Sequence, residues 1–180
     1  LVSGNLGRAI VKVSAVDPKH HSIKAPARVF RTQQDFVDAF NNGELEQDFV
    51  AVLTCQGPRA HGMPELHKLT PYLGVLQGRG FKVALVTDGR MSGASGKVLA
   101  AIQVTPEAIC GGLIAKVRDG DIIEVDAASG IMTLAVDGAE AREPVIETAP
   151  QHGLGRELFG AFRNRAGSAE AGASLFSDDQ

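Results

Sequence analysis

The segment 87–93, Thr-Asp-Gly-Arg-Met-Ser-Gly, brings together an acid, a guanidinium and a hydroxyl in Asp88, Arg90 and Ser92. It follows an apolar stretch over residues 81–86 that predicts a buried strand. Loops at the carboxyl ends of strands are where open α/β sheets bind ligands. The chemistry that these residues suggest is proton transfer by an activated serine beside an anion-binding guanidinium.

The residues after this loop affect what the serine can do. The pattern over residues 97–104 predicts a short helix, which would place Ser92 near a helix N-terminus. The partial positive charge there would stabilise an alkoxide. The alternative is an ordinary Asp-Gly turn in which Ser92 or Ser95 caps the helix.

A second polar loop, residues 55–65, follows another apolar strand predicted over residues 49–54. It contains Arg59, His61 and Glu65. Because arginine and histidine donate hydrogen bonds to anions and glutamate is a hard oxygen ligand, this loop also has the composition of a binding site.

A helix predicted over residues 64–77, with a kink at Pro71, would complete a strand–helix–strand unit. The two strands of such a unit are parallel, so both loops should leave the same edge of the sheet. Glu65 would then approach Ser92, as a carboxylate and a metal-activated hydroxyl do in acid–base chemistry. Glu65 also suits the first turn of a helix for purely structural reasons.

The remaining pattern is rich in strands and predicts an α/β fold, a mixed β-barrel with flanking helices. A helix over residues 33–41 capped by Thr32 and a helix over residues 156–165 accompany the barrel. Further predicted strands cover residues 9–15, 23–30, 112–117, 122–126 and 131–136.

Composition limits the class of protein. The chain has 180 residues, 44% of them hydrophobic, which suits one domain with a substantial core. A net charge of -3 without a basic run argues against nucleic-acid binding, and no apolar run is long enough to predict a membrane span. Two cysteines make no disulfide framework, so the expected location is the cytoplasm.

Several motifs, taken in order, resemble the carboxy-terminal part of the dihydroxy-acid and phosphogluconate dehydratase family. They are Gly57-Pro58-Arg59, Gly62-Met63-Pro64-Glu65, the loop 87–93, Thr105-Pro106-Glu107-Ala108, Gly111-Gly112 and Asp119-Gly120-Asp121. The first loop, Cys55 to Thr70, and the segment 155–159 are more similar to the phosphogluconate branch of the family.

The resemblance implies a hydro-lyase with a swivelling β/β/α barrel, in which Ser92 is the base and Glu65 a magnesium ligand. It also implies an iron–sulfur cluster held by a larger amino-terminal domain that this sequence lacks. Residues 1–167 would be the single carboxy-terminal domain and residues 168–180 a loosely ordered tail or a subunit contact in a homodimer. The isolated chain is then expected to be inactive.

A phosphorylated sugar-acid substrate requires anion-binding groups. Asp88 and Arg90 in the 87–93 loop, and Arg59 and His61 in the opposite loop, are the predicted substrate-binding residues. Arg156, at the start of the last predicted helix, is the candidate for phosphate.

Two alternatives stay open at this point. One is a dehydratase of the same family that acts on dihydroxy acids or on non-phosphorylated sugar acids. The other is a free-standing binding module of the same fold, because fold does not determine function.

Overall fold

The computed structural model describes residues 1–91, 96–148, 152–153 and 155–176. Within these ranges, eight strands close into a barrel and four α-helices flank it. The strands are β1 (Val2–Gly4), β2 (Gly7–Val11), β3 (Ser22–Phe30), β4 (Phe49–Leu53), β5 (Val83–Thr87), β6 (Leu99–Thr105), β7 (Ile122–Asp126) and β8 (Ile131–Leu134). The helices are α1 (Gln33–Asn41), α2 (Pro58–His61), α3 (Leu69–Gly78) and α4 (Arg156–Arg165).

The barrel is mixed, as the sequence predicted. Its strand order is β1-β2-β6-β5-β4-β3-β7-β8, and it closes where Ser3 of β1 lies opposite Ile131 of β8. Strands β3, β4, β5 and β6 run parallel to their neighbours in this series, whereas β2·β6, β3·β7 and β7·β8 are antiparallel. The parallel part of the barrel therefore contains the predicted strand–helix–strand unit.

Strands β4 and β5 are buried on both faces, which explains their uninterrupted apolar sequences. Val50 and Val52 belong to the core inside the barrel. Phe49 and Leu53 belong to a second core between the barrel wall and the helices. These strands are the rigid base from which the two polar loops emerge.

Helices α1 and α3 cover the parallel strands from outside. Phe36 of α1 and Leu73 of α3 are almost fully buried in the outer core. Thr32 caps α1 through a capping box with Asp35, and the helix matches its predicted bounds. No helix among the described residues is long and apolar enough to cross a membrane.

The helix predicted over residues 97–104 is wrong, because this segment forms the strand β6. It pairs with β5 on one side and with β2 on the other. Its Leu99 and Ala101 lie in the barrel core, whereas Ala100 packs in the outer core. The described residues 96–105 therefore do not form the helix whose N-terminus was expected to follow Ser92.

Three other boundaries differ from prediction. Helix α3 begins at Leu69 rather than at residue 64, and a separate short helix, α2, precedes it. The strand predicted over residues 112–117 is the 3-10 helix Leu113–Lys116. The motif Thr105-Pro106-Glu107-Ala108, which predicts a helix with proline at its first position, does not open one, since Glu107 is extended and only the short 3-10 turn Ala108–Cys110 follows.

The carboxy-terminal part folds back on the barrel. Helix α4 has its predicted bounds. After it, the amide of Gly167 donates to the carbonyl of Ser174 at 2.9 Å, which closes a compact turn. Glu170 lies 2.8 Å from Arg8 of β2. The described part of the predicted tail thus contacts the barrel, and residues 177–180 lie outside the described residues.

Candidate active site

The loops after β4 and β5 leave the same edge of the barrel, as the strand–helix–strand pattern predicted. Leu53 lies beside Thr87 in the parallel ladder, so both strands end at the same level. The polar residues that follow the two strands are therefore neighbours in space although more than thirty residues separate them in sequence.

Asp88, in the loop after β5, binds the loop after β4 through hydrogen bonds. Its carboxylate is fully buried and accepts the backbone amides of Gln56 at 2.8 Å, Cys55 at 3.1 Å and Ala108 at 2.9 Å. Burial raises the pKa of Asp88 to about 6, because the loss of hydration outweighs these three amide donors. Asp88 was predicted to bind substrate, but this burial and these contacts give it the geometry of a structural acceptor.

Glu107 is a second buried carboxylate that accepts a backbone amide, in this case from the first loop only. Its buried carboxylate lies 3.2 and 3.3 Å from the amide of Arg59, in the first turn of α2. A Cβ placed on Gly57 would lie 2.1 Å from Glu107 Oε2, so only glycine fits there. This contact has no local sequence signal, because Glu107 and Arg59 are 48 positions apart.

Glu65 of the first loop and Arg90 of the second loop are in direct contact. The two residues form a parallel β-bridge, and the amide of Leu66 donates to the carbonyl of Arg90 at 3.2 Å. Arg90 Nη1 lies 3.5 Å from Glu65 Oε2, and Arg90 Nε donates to the Met63 carbonyl at 2.9 Å. Backbone and side chains together hold the acid of one loop against the guanidinium of the other.

The predicted base, Ser92, lies outside the described residues, as do residues 93–95. Arg90 is two positions before it, and Arg90 is in contact with Glu65. The role of Ser92 stays a prediction.

Glu65 fits magnesium as the donor of one ligand. Its carboxylate is a hard oxygen group, which Mg²⁺ prefers, and the side chain is 25% exposed. Among the described residues, no group of three His, Cys, Asp or Glu side chains is arranged to hold a metal ion. Further ligands would have to come from outside the described residues.

The described residues do not fit an iron–sulfur cluster, which needs several cysteine thiolates. Cys55 is buried in the barrel core, and burial raises the pKa of its thiol. Cys110 is exposed, beside Arg59 and Glu107. The two thiols are thus in different environments, and neither has a cysteine partner.

The other predicted anion-binding residues, Arg59, His61 and Arg156, lie on α2 and α4. Arg59 Nε donates to the carbonyl of Ala166 at 2.6 Å, so it links α2 to the end of α4. His61 and Arg156 line a groove between α2 and α4. The pKa of His61 is lowered, first by partial burial of the ring and then by the nearby cations Arg156 and Arg163.

A second cavity, which sequence reasoning missed, has a volume of about 440 Å³ and opens beside the ends of β3 and β4. Thr54, directly after β4, lines it together with Arg31, Arg118 and Glu147. Arg31 and Glu147 form an ion pair at 2.6 Å across its rim. No local motif predicts this cavity, because its lining comes from four separate segments of the chain.

This architecture defines an α/β barrel domain that contributes an acid and a guanidinium to a site at the ends of adjacent parallel strands. A comparison with known families matches residues 1–173 to the dihydroxy-acid/6-phosphogluconate dehydratase C-terminal domain. The chain belongs to this family, as its motifs suggested.

Individual relatives give a finer comparison. A phosphogluconate dehydratase of Pseudomonas aeruginosa is 60% identical over 99% of this chain, and one of Escherichia coli is 59% identical over 97%. A dihydroxy-acid dehydratase of Acetivibrio thermocellus is 35% identical over 97%. The chain spans about 30% of the length of the first two relatives and 32% of the third.

Proposed function

We propose that this chain is the carboxy-terminal domain of a phosphogluconate dehydratase, which converts 6-phosphogluconate to 2-keto-3-deoxy-6-phosphogluconate and water in the Entner–Doudoroff pathway. The observation that carries this proposal is the difference in identity. Relatives named phosphogluconate dehydratase are 52–60% identical to the chain, whereas the relative named dihydroxy-acid dehydratase is 35% identical.

The reaction removes a proton from the carbon beside the carboxylate and a hydroxide from the next carbon, and the resulting enol tautomerises to the 2-keto acid. We assign the proton removal to Ser92. A serine hydroxyl is too weak an acid to be ionised at neutral pH unless nearby positive charge lowers its pKa. Because residues 97–104 form a strand, that charge must come from a source other than a helix N-terminus, and Arg90 is near in sequence.

Arg90 suits the substrate carboxylate. Its guanidinium is half-exposed and is held by Glu65 and by the Met63 carbonyl, so its planar fork has a fixed direction. Glu65 would hold magnesium together with ligands from elsewhere, and bound magnesium would supply positive charge for an enolate. Asp88 positions both loops rather than contacting substrate.

The length of the relatives, of which this chain spans about 30%, supports a further part of the proposal. We propose that an amino-terminal domain of the same polypeptide supplies the iron–sulfur cluster and the remaining magnesium ligands, since the described residues fit neither alone. The homodimer and the cytoplasmic location stay predictions.

The test is anaerobic formation of 2-keto acid by the full-length parent protein, with 6-phosphogluconate, gluconate and a branched dihydroxy acid as substrates. We expect turnover of 6-phosphogluconate by the parent protein, and none by its Ser92→Ala variant or by residues 1–180 alone. Preference for the dihydroxy acid would contradict the substrate, and activity of Ser92→Ala would contradict the base. If the protein turns over none of the three substrates, the result would favour the alternative of a binding module.

A further inference from the structure

A groove of about 600 Å³ lies between α2 and α4, beside the loop that carries Glu65. We call it the α4 groove. Its basic lining consists of His61, at the end of α2, and Arg156 and Arg163 on α4. The two arginines are seven positions apart, which places them two turns apart on the same face of the helix.

The remaining lining of the α4 groove is apolar or carries no charge. Phe159 and Phe162 stand between the two arginines, and Ala173 and Leu175 come from the carboxy-terminal turn. None of the described lining residues is acidic. Since the charged residues that line the groove are all basic, the groove attracts anions.

The three basic groups also act on one another. Partial burial of the ring lowers the pKa of His61, and the nearby cations Arg156 and Arg163 lower it further. The positive charge of the groove is therefore carried by the two arginines at neutral pH. The neutral imidazole of His61 can still donate one hydrogen bond to an anion.

The groove is connected to the candidate active site through a short piece of chain. Gly62 and Met63 line the groove, and the carbonyl of Met63 accepts Arg90 Nε. Three residues of chain, from Gly62 to Glu65, cover at most about 10 Å. Because Met63 contacts Arg90 and also lines the groove, an extended six-carbon acid with its carboxylate at Arg90 would have its opposite end toward the groove.

We propose that the α4 groove binds the phosphate of the sugar-acid substrate, through Arg156 and Arg163 from α4 and His61 from α2. This inference rests on the proposed function and deepens it, because it assigns the group that distinguishes a phosphorylated from a non-phosphorylated sugar acid. Arginine forks on a phosphate dianion make charge-assisted hydrogen bonds, which are roughly twice as strong as neutral ones.

The test compares Arg156→Gln and Arg163→Gln in the full-length parent enzyme, with Arg165→Gln as the matched control. Arg165 is on the same helix but is exposed and does not line the groove. We expect each groove variant to raise KM for 6-phosphogluconate about tenfold or more with little change in kcat. Arg165→Gln should leave both constants unchanged. An unchanged KM in the Arg156→Gln,Arg163→Gln double variant would overturn the proposal.

A binding measurement separates this proposal from the proposed function. Calorimetry of the parent protein with inorganic phosphate needs no turnover, and binding that weakens about tenfold in Arg156→Gln but not in Arg165→Gln supports an anion groove. If the wild type fails to dehydrate 6-phosphogluconate while this pattern holds, the function fails and the groove stands as a phosphate site. If phosphate binding is absent or insensitive to Arg156→Gln, the groove assignment fails, whatever the substrate.

Discussion

The carboxylate of Asp88 accepts the backbone amide of Ala108 at 2.9 Å, which joins the loop after β5 to the segment after β6. The same carboxylate accepts two amides of the loop after β4. Three chain segments therefore share one buried side chain. Arg90 lies two residues further along, so its position depends on how Asp88 is held.

The Asp88→Asn variant should lose about 2 to 4 kcal/mol of stability at neutral pH. Asparagine keeps one acceptor oxygen and turns an NH₂ group toward backbone amides that also donate. Chemical denaturation measures the loss. The control is Asp48→Asn, since Asp48 is exposed and accepts one backbone amide, from Lys82. We expect a cost below about 1 kcal/mol there, and equal costs for the two variants would refute this role of Asp88.

The pKa of Asp88 predicts how that difference depends on pH. Because burial raises the pKa to about 6 in the folded state, above the unfolded value near 3.9, the folded protein binds the proton more tightly. The contribution of Asp88 to stability is fully present below pH 4 and is lost as the pH rises to about 6. Asp88→Asn lacks this dependence.

The stability gap between the wild type and Asp88→Asn should therefore shrink by about 2 kcal/mol between pH 4.5 and pH 7.5. Paired denaturation curves at the two pH values measure it, and titrating groups that do not interact with Asp88 cancel in the comparison. If the stability gap instead widens as the pH rises, the three amide donors outweigh the effect of burial, and the pKa of Asp88 in the folded state lies below its unfolded value.

The pairing of Glu65 with Arg90 predicts a specific defect in the full-length enzyme. Glu65→Gln keeps the size of the side chain but removes its charge, so we expect turnover to fall about 100-fold or more while the fold is kept. Glu46→Gln is the matched control, because Glu46 pairs with Arg79 at 2.6 Å on the surface, away from the loops. Full activity of Glu65→Gln would show that turnover does not need the charge of Glu65.

Much of this arrangement could be predicted from the sequence. Strands β4 and β5 are apolar and bounded by glycine-rich loops, and parallel pairing follows from the strand–helix–strand order. That order sufficed to place Glu65 near the 87–93 loop. The Thr32 cap and the helix over residues 156–165 were likewise readable from local signals.

What could not be predicted depends on contacts distant in sequence. The segment 97–104 contains alanine and leucine and has no alternation, so local preference favoured a helix. Pairing with strands on both sides buries it in two cores and makes it a strand. The acceptor roles of Asp88 and Glu107 were hidden for the same reason, because their amide partners come from other loops.

The close approach of Gly57 to Glu107 gives the last prediction. A methyl group on residue 57 would lie 2.1 Å from Oε2 and 2.8 Å from Cδ of Glu107. Since that carboxylate also holds the amide of Arg59, it cannot move without losing the contact. We expect Gly57→Ala to cost about 1 to 3 kcal/mol.

Gly74→Ala is the control, because Gly74 lies in α3 and a methyl group there meets nothing within 4 Å. It should stabilise the protein by about 0.5 to 1 kcal/mol through helix propensity. The Gly57→Ala,Glu107→Ala double variant should cost less than the sum of its single variants, because removing the carboxylate also removes the clash. Additive costs in this cycle would show that strain at residue 57 has another origin.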